Sequence, residues 1–287
     1  MSDTWSILVH GGAKTIRPDR EAANRAGCIA AAAAAAAVLS AGGRAVDAVV
    51  AAIKVLEDDP TFNAGYGAVL NADGEVELDA ALMDGATLDV GAVAAARRAR
   101  NPIEVAKAML RDQPVLLVGE GADRYAAEKG LTLCEAGAHI VPAIVAEEAC
   151  DTVGCVAFDQ RGDLAAGTST GGLDGVRPGR VGDSPLPGCG LAAENSIGAV
   201  SFSGDGESLI RLTLAARLMH QLAQTEPREA ARYAIAQMAR VGGEAGCIVL
   251  DGQGAPGVAH NSDHFAVGFA SHDRAPTAIL HAREFDQ

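Results

Sequence analysis

The chain has 287 residues, 49% of them hydrophobic, enough to bury a sizeable core as one large domain or two small ones. Aromatics make up only 3% while Ala and Gly abound, which points to layers packed closely through small side chains. A net charge of −14 argues against nucleic acid and anionic membrane surfaces, both of which need clustered Lys and Arg, but it leaves room for a small acidic substrate held by one buried Arg.

Met1 to Trp5 carries no basic or apolar segment of the kind a secretory signal has, so the expected location is the cytoplasm. Ile7-Leu8-Val9 reads as a short buried strand ending in a turn at His10-Gly11-Gly12-Ala13. An Ala-rich helix follows from about 19 to 40 and stops at Gly42-Gly43. Its run Ala30 to Ala37 is too short to span a bilayer and reads as a packed helix. A second helix covers about 45–57 and stops at Pro60. Asn71-Ala72-Asp73-Gly74 is expected to turn a hairpin between 68–70 and 76–78. Then come a strand near 90–97, a helix after Pro102, a strand at 115–118 and a helix around 119–129. Gly119-Glu120-Gly121 lacks the third glycine of a dinucleotide loop and is set aside.

Residues 132–151 lose periodicity and read as an exposed linker that arrives at Thr152. Strands are expected at 153–158, 164–168 and 197–202, amphipathic helices near 207–223 and 228–241, and strands at 246–250 and 257–260. Strands, then two helices, then strands again suit helices covering both faces of stacked sheets better than a doubly wound parallel sheet. Six cysteines (Cys28, Cys134, Cys150, Cys155, Cys189 and Cys247) show no CxxC spacing and no His at zinc-ligand intervals, so they read as reduced thiols.

Three constellations carry chemistry. Asp151-Thr152-Val153-Gly154 places a threonine at the end of the linker. If the chain were cut before it, Thr152 would hold both a nucleophilic hydroxyl and a free α-amine with a reference pKa of about 7.7–8.0, near what a general base needs. An antiparallel pair closed at 160–161 would make opposite residues sum to about 321, setting Thr152 against Ser169, or against Thr170 with a one-residue bulge. Arg180 and Asp183, in a loop stiffened by Pro178, Gly179, Gly182 and Pro185, suit the carboxylate and ammonium of a zwitterion. Ser201 to Glu207 lies between a strand and a helix, where backbone N–H groups can face an oxyanion. Nothing comparably fixed marks a leaving-group side. The residues point to a self-cleaving threonine amidohydrolase.

The ordered set His10-Gly-Gly-Ala13, Leu56 to Gly67, Glu77-Leu-Asp-Ala80, Met83-Asp-Gly85, Asp151 to Gly154, Thr168 to Gly172 and Pro178 to Pro185 spans nearly the whole chain. It resembles the plant-type asparaginase/isoaspartyl peptidase family of N-terminal-nucleophile hydrolases. The resemblance implies an α+β fold, a four-layer αββα sandwich, cut between Asp151 and Thr152 into an α subunit (1–151) and a β subunit (152–287). Together these would form one folded domain and pair as a dimer of αβ units. By position, Thr152 would be the nucleophile, Thr170 the hydroxyl that tunes it, and Asn63 a support for the nucleophile. Arg180 would bind the α-carboxylate, Asp183 the α-amine, and Ser203 and Gly204 the oxyanion. The loop with Leu56, Glu57, Asp59, Phe62, Ala64 and Tyr66 matches the family's sodium-binding loop, whose ligands are mostly backbone carbonyls, and no other cofactor is implied. The oxyanion position usually carries Thr in this family and here is Ser203; many relatives have Gly where this chain has Asp151. Asp-Thr also fits a glycosylasparaginase, and a catalytically silent binding protein on the same fold is the reading from another class.

Overall fold

The computed structural model describes residues 3–135, 152–281 and 284. Asp151 of the expected cleavage site, Cys150 and most of the expected linker lie outside the described residues. At the start of that linker Leu133 bridges Ala99, and the Cys134 N–H bonds the Arg98 carbonyl, so this part is tied down rather than free.

The first half runs β1 (Ser6–Lys14), α1 (Glu21–Ser40), α2 (Ala45–Asp58), β2 (Leu78–Asp84), β3 (Val90–Ala96), α3 (Pro102–Met109), β4 (Leu116–Val118) and α4 (Glu120–Glu128). The second half runs β5 (Val153–Phe158), β6 (Leu164–Thr170), β7 (Leu191–Glu194), β8 (Gly198–Gly204), α5 (Gly206–Leu212), α6 (Leu214–Leu222), α7 (Pro227–Gln237), β9 (Ala245–Asp251), β10 (Pro256–His260), β11 (His264–Ser271) and β12 (Arg274–His281). The strands form an eight-stranded sheet in the order β12-β11-β1-β5-β6-β2-β3-β4 and a four-stranded sheet in the order β10-β9-β8-β7.

Small side chains set the packing. Cys28, Ala31, Ala32, Ala35 and Leu39 are buried at helical spacing along α1, where they meet α2 and the large sheet. On the small sheet, Leu214, Leu218 and Leu222 of α6 and Ala230, Ala231 and Ala234 of α7 cover Val200, Cys247 and Val249. Between the sheets lie Leu8, Val156, Leu164 and Ala166 of the large one and Leu191, Ala199, Ile248 and Leu250 of the small one, all buried. Alternate residues of β5 and β9 thus face opposite cores, as a period of two requires.

Four expectations need correction. The His10 to Ala13 segment is not a terminal turn: β1 continues to Lys14 through a bulge between His10 and Ala13, where Gly12 takes φ 112°. Asn71 does make a turn, its side chain accepting the Asp73 and Glu75 N–H groups, but 68–70 and 76–77 are not strands, and the strand that follows starts at Leu78. The helix expected over 207–223 is broken at Thr213, in the left-handed region at φ 47°. The β5–β6 pair runs in a register summing to 322, with Val153 opposite Ser169. The buried Asp159 carboxylate accepts the N–H groups of Arg161 and Asp163, which pulls one more residue into the turn, and its other oxygen accepts Ala45 N–H at the start of α2. Strands β7, β11 and β12 had no sequence signal strong enough to be read in advance.

Candidate active site

Thr152 immediately precedes β5, which lies between β1 and β6 near the middle of the large sheet. Continuing the β5–β6 register by one residue sets Thr152 against Thr170 with no bulge. The hydroxyl cluster on β6 then divides by alternation. Ser169 points to the helical side and donates to Glu57 Oε1 at 2.7 Å, so it is not the partner of Thr152. Thr168, on the opposite face, donates to the Ser184 carbonyl at 2.6 Å. Thr152, Thr170, Gly172, Arg180, Asp183, Ser184 and Gly204 line one narrow cleft, together with Leu173 and Gly182.

The Thr152 hydroxyl meets a side chain that the sequence left without a role. Thr152 Oγ1 lies 3.0 Å from Ser184 Oγ, and both residues are buried. Ser184 was visible within the Gly182-Asp183-Ser184-Pro185 motif, but a hydroxyl beside a candidate carboxylate gave no reason of its own to be chosen.

Beneath Thr152 sits His10, fully buried. Its Nε2 is 2.8 Å from Ser201 Oγ, and it also hydrogen-bonds the Thr152 backbone. The Ser201 hydroxyl also reaches the Gly167 carbonyl at 3.3 Å. Burial pushes the imidazole pKa down to about 3, which keeps the ring neutral at any ordinary pH. Gly154 makes room for this arrangement, since a Cβ there would collide with both Ser201 Oγ and His10 Nε2.

Asn63 supports the far wall. Its Nδ2 donates to the Gly172 carbonyl at 2.7 Å, its Oδ1 accepts Val69 N–H, and its own carbonyl accepts Gly171 N–H at 2.9 Å. Those bonds hold the segment that follows Thr170, whose Oγ1 in turn accepts Gly172 N–H at 3.2 Å.

The charged groups lie at the other end. Asp183 is 3% exposed, and one of its carboxylate oxygens, Oδ2, has no hydrogen-bond partner. Burial drives its pKa up to about 7 despite the nearby Arg180. Arg180 grips Glu207 through Nε and Nη2. Asp79, also buried, accepts the Ala95 N–H at 2.8 Å and a further bond from the Gly182 backbone. Its carboxylate therefore ties β3 to the loop that carries Arg180 and Asp183, and desolvation lifts its pKa to about 6.

Of the two expected oxyanion residues only Gly204 lines the cleft. Strand β8 extends to Gly204, so Ser203 is a strand residue rather than part of a turn. Its buried Oγ accepts the Ala13 N–H at 3.1 Å, tying the small sheet to the β1 bulge. In the Leu56 to Tyr66 segment, Glu57 is buried, accepts Ile103 N–H and the Ser169 hydroxyl, and has its pKa raised to about 8 by desolvation.

A family model described as Asparaginase matches residues 3–147 and 141–280. An isoaspartyl peptidase/L-asparaginase of Danio rerio is 37% identical over 300 residues, spanning 98% of this chain and 97% of its own length. The protein of that name from Rattus norvegicus is 41% identical over 268 residues (86% and 80% of the two chains), and the one from Homo sapiens 40% over 271 residues (86% and 87%). The matched segments run on both sides of Thr152 and take in every residue of the cleft, and the chain belongs to the asparaginase family.

Proposed function

We propose that this chain is a self-activating threonine hydrolase, an isoaspartyl peptidase with L-asparaginase activity. It would cleave the side-chain amide of β-aspartyl dipeptides and of asparagine. The observation that carries the reading is the single cleft that Thr152, Asp183 and Arg180 line together, with Asp183 buried. The relatives named isoaspartyl peptidase/L-asparaginase support the same reading.

Activation would begin with Thr152 Oγ1 attacking the carbonyl carbon of Asp151. The C–N bond breaks as the C–O bond forms, leaving an ester on the threonine and a free α-amine; water then hydrolyses the ester. In the cut protein that amine takes the hydroxyl proton while Oγ1 adds to the substrate β-carbonyl. The carbonyl electron pair moves onto oxygen beside the Gly204 segment, where backbone N–H groups can stabilise it. Collapse restores the carbonyl, expels the amine and returns the proton to the leaving nitrogen. Water attacks the acyl-threonine in the second half, again with the α-amine as base.

Arg180 would hold the α-carboxylate and Asp183 the α-ammonium of the aspartyl part. Ser184 and Thr170 flank the nucleophile, and neutral His10 keeps the start of β5 in place without contributing charge. The two packed sheets with α1 and α2 outside one and α6 and α7 outside the other support the four-layer αββα sandwich.

A structural Na⁺ fits the Leu56 to Tyr66 segment. A side chain at Gly65 or Gly67 would collide with the carbonyl oxygens of Glu57 and Phe62, so those glycines leave open a cradle of backbone oxygens. Carbonyls of Leu56, Glu57, Asp59, Phe62, Ala64 and Tyr66 would hold the ion, which would offset their converging dipoles and steady Asn63 between them. We place the working protein in the cytoplasm as a dimer of αβ units. Its partner would be a small amino-acid substrate rather than nucleic acid or membrane, in keeping with the net charge of −14.

Incubating the protein with β-Asp-Leu, α-Asp-Leu and N-acetyl-β-Asp-Leu tests the reading. Only the first should release leucine; equal turnover of the other two would mean that Arg180 and Asp183 do not anchor the substrate.

A further inference from the structure

The motif Glu77-Leu78-Asp79-Ala80 lies where the chain enters β2 and takes no part in the chemistry above. Its side chains divide by alternation. Leu78 is buried with Ala68 and Val76, while the acids on either side of it both reach the loop that carries Arg180. Glu77 Oε2 accepts the Gly179 N–H at 2.8 Å, and its Oε1 accepts the Arg97 guanidinium at 3.0 Å. The Asp79 carboxylate accepts the Ala95 N–H at 2.8 Å and the Gly182 N–H. The two acids therefore hold the loop on both sides of Arg180, at the residue before it and at the second residue after it.

The support behind Asp79 is stiff. Leu78 pairs with Ala96 and Ala80 with Val93, so two residues of β3 oppose Asp79. In that bulge Ala95 takes φ 49°, uncommon for a residue with a side chain, and turns its N–H onto the carboxylate. Arg180 in turn rests on what the acids fix. A Cβ at Gly182 would fall 2.9 Å from Arg180 Nη1 and 3.4 Å from its Cζ, so the guanidinium lies directly on the glycine backbone. A shift of Gly182 would carry the guanidinium with it.

We propose that Glu77 and Asp79 are paired positioning residues for Arg180. By clamping Gly179 and Gly182 they set the guanidinium where it meets the α-carboxylate of the aspartyl part, and so they determine the preference for that carboxylate without touching the substrate. Each acid is already engaged by two donors, which keeps it from competing with the substrate for Arg180. The inference rests on the anchoring role proposed for Arg180 and deepens it.

The test compares kcat/KM for β-Asp-Leu with that for the same dipeptide carrying a carboxamide in place of its aspartyl α-carboxylate. It uses processed wild-type protein, Asp79→Asn and Glu77→Gln. Each variant keeps the size of the side chain but leaves one donor facing an amide NH2. The ratio of the two constants cancels how much of a variant folds or matures, so a merely structural defect does not move it. The wild type should prefer the carboxylate by about tenfold or more, as loss of a charge-assisted pair implies. Each variant should cut that preference by about threefold or more, through a higher KM for β-Asp-Leu with kcat changed less than about twofold. A smaller drop in either variant, or a rise, overturns the clamp and leaves Arg180 as the anchor. Should Asp79→Asn give no processed enzyme, Glu77→Gln decides alone. A wild-type ratio near one overturns the anchoring role of Arg180 and the clamp with it.

Discussion

The guanidinium of Arg180 lies side-on against the carboxylate of Glu207, with Nε 2.9 Å from Oε1 and Nη2 2.6 Å from Oε2. The pair is unequal: the Arg180 side chain is 16% exposed and that of Glu207 56%. The solvated acid therefore aims the more buried base, and a substrate carboxylate bound there would meet the guanidinium in that fixed orientation. Glu207→Ala should raise KM for β-Asp-Leu about three- to tenfold and change kcat by less than about twofold, because the lost contact serves binding alone. Steady-state kinetics decide it, and a lower KM would show that Glu207 competes with the substrate instead.

Asp183 gives a pH dependence with a definite sign. Its folded pKa of about 7 lies above the ordinary 3.8 because burial opposes the charge. Below about pH 7 the free enzyme carries it protonated and loses the anion that an α-ammonium needs, so kcat/KM should fall on the acid side with a pKa near 7. The stability effect runs the other way. The folded state binds a proton that the unfolded state gives up near 3.8, so the Asp183 contribution weakens as pH rises from about 4 through 7, by at most about 4 kcal/mol. Asp183→Asn should therefore abolish binding yet raise the thermal midpoint at pH 8, and an unchanged or lower midpoint there would contradict the buried-carboxylate account.

Self-cleavage before Thr152 should yield pieces of 151 and 136 residues, since 287 − 151 = 136. Intact-mass measurement over time reads this directly. Thr152→Ala should remain a single chain, and a wild-type protein uncut after long incubation would rule out the self-processing route.

Ser184 Oγ stands 3.0 Å from Thr152 Oγ1, the expected nucleophile. Ser184→Ala should slow both self-cleavage and turnover by about tenfold with little change in KM, the pattern of a group that acts on the nucleophile and not on substrate binding. A selective rise in KM would instead place the hydroxyl in the substrate pocket.

Long periodic elements were legible in the sequence. Helix α1 shows its spacing of buried alanines, and α2 stops before Pro60, whose ring keeps Asp59 extended. The strands flanking Thr152 were likewise clear from their apolar runs. The failures share a cause, which is that side chains from distant segments set the local backbone. The Asp159 carboxylate lengthened the β5–β6 turn and moved the register by one, which changed the residue facing Thr152. The motifs gave roles to the cleft residues Thr152, Thr170, Arg180, Asp183 and Gly204, but none to the buried polar groups that hold them, although those lie in the same motifs. His10, Asp79, Ser201 and Ser184 act through contacts far away in sequence, and no spacing rule exposes such pairs.

The strand order of the large sheet constrains what cleavage can do. Read across it, β12 and β11 come from after the cut, β1 from before it, β5 and β6 from after, and β2, β3 and β4 from before. The two pieces are interleaved like the fingers of clasped hands, joined at three strand seams: β11 with β1, β1 with β5, and β6 with β2. Separating them would expose all three ladders of backbone donors and acceptors at once. A cut before Thr152 would therefore free its amine without freeing either piece. The cut protein should sediment and melt as one body, since neither piece alone holds the complete eight-stranded sheet.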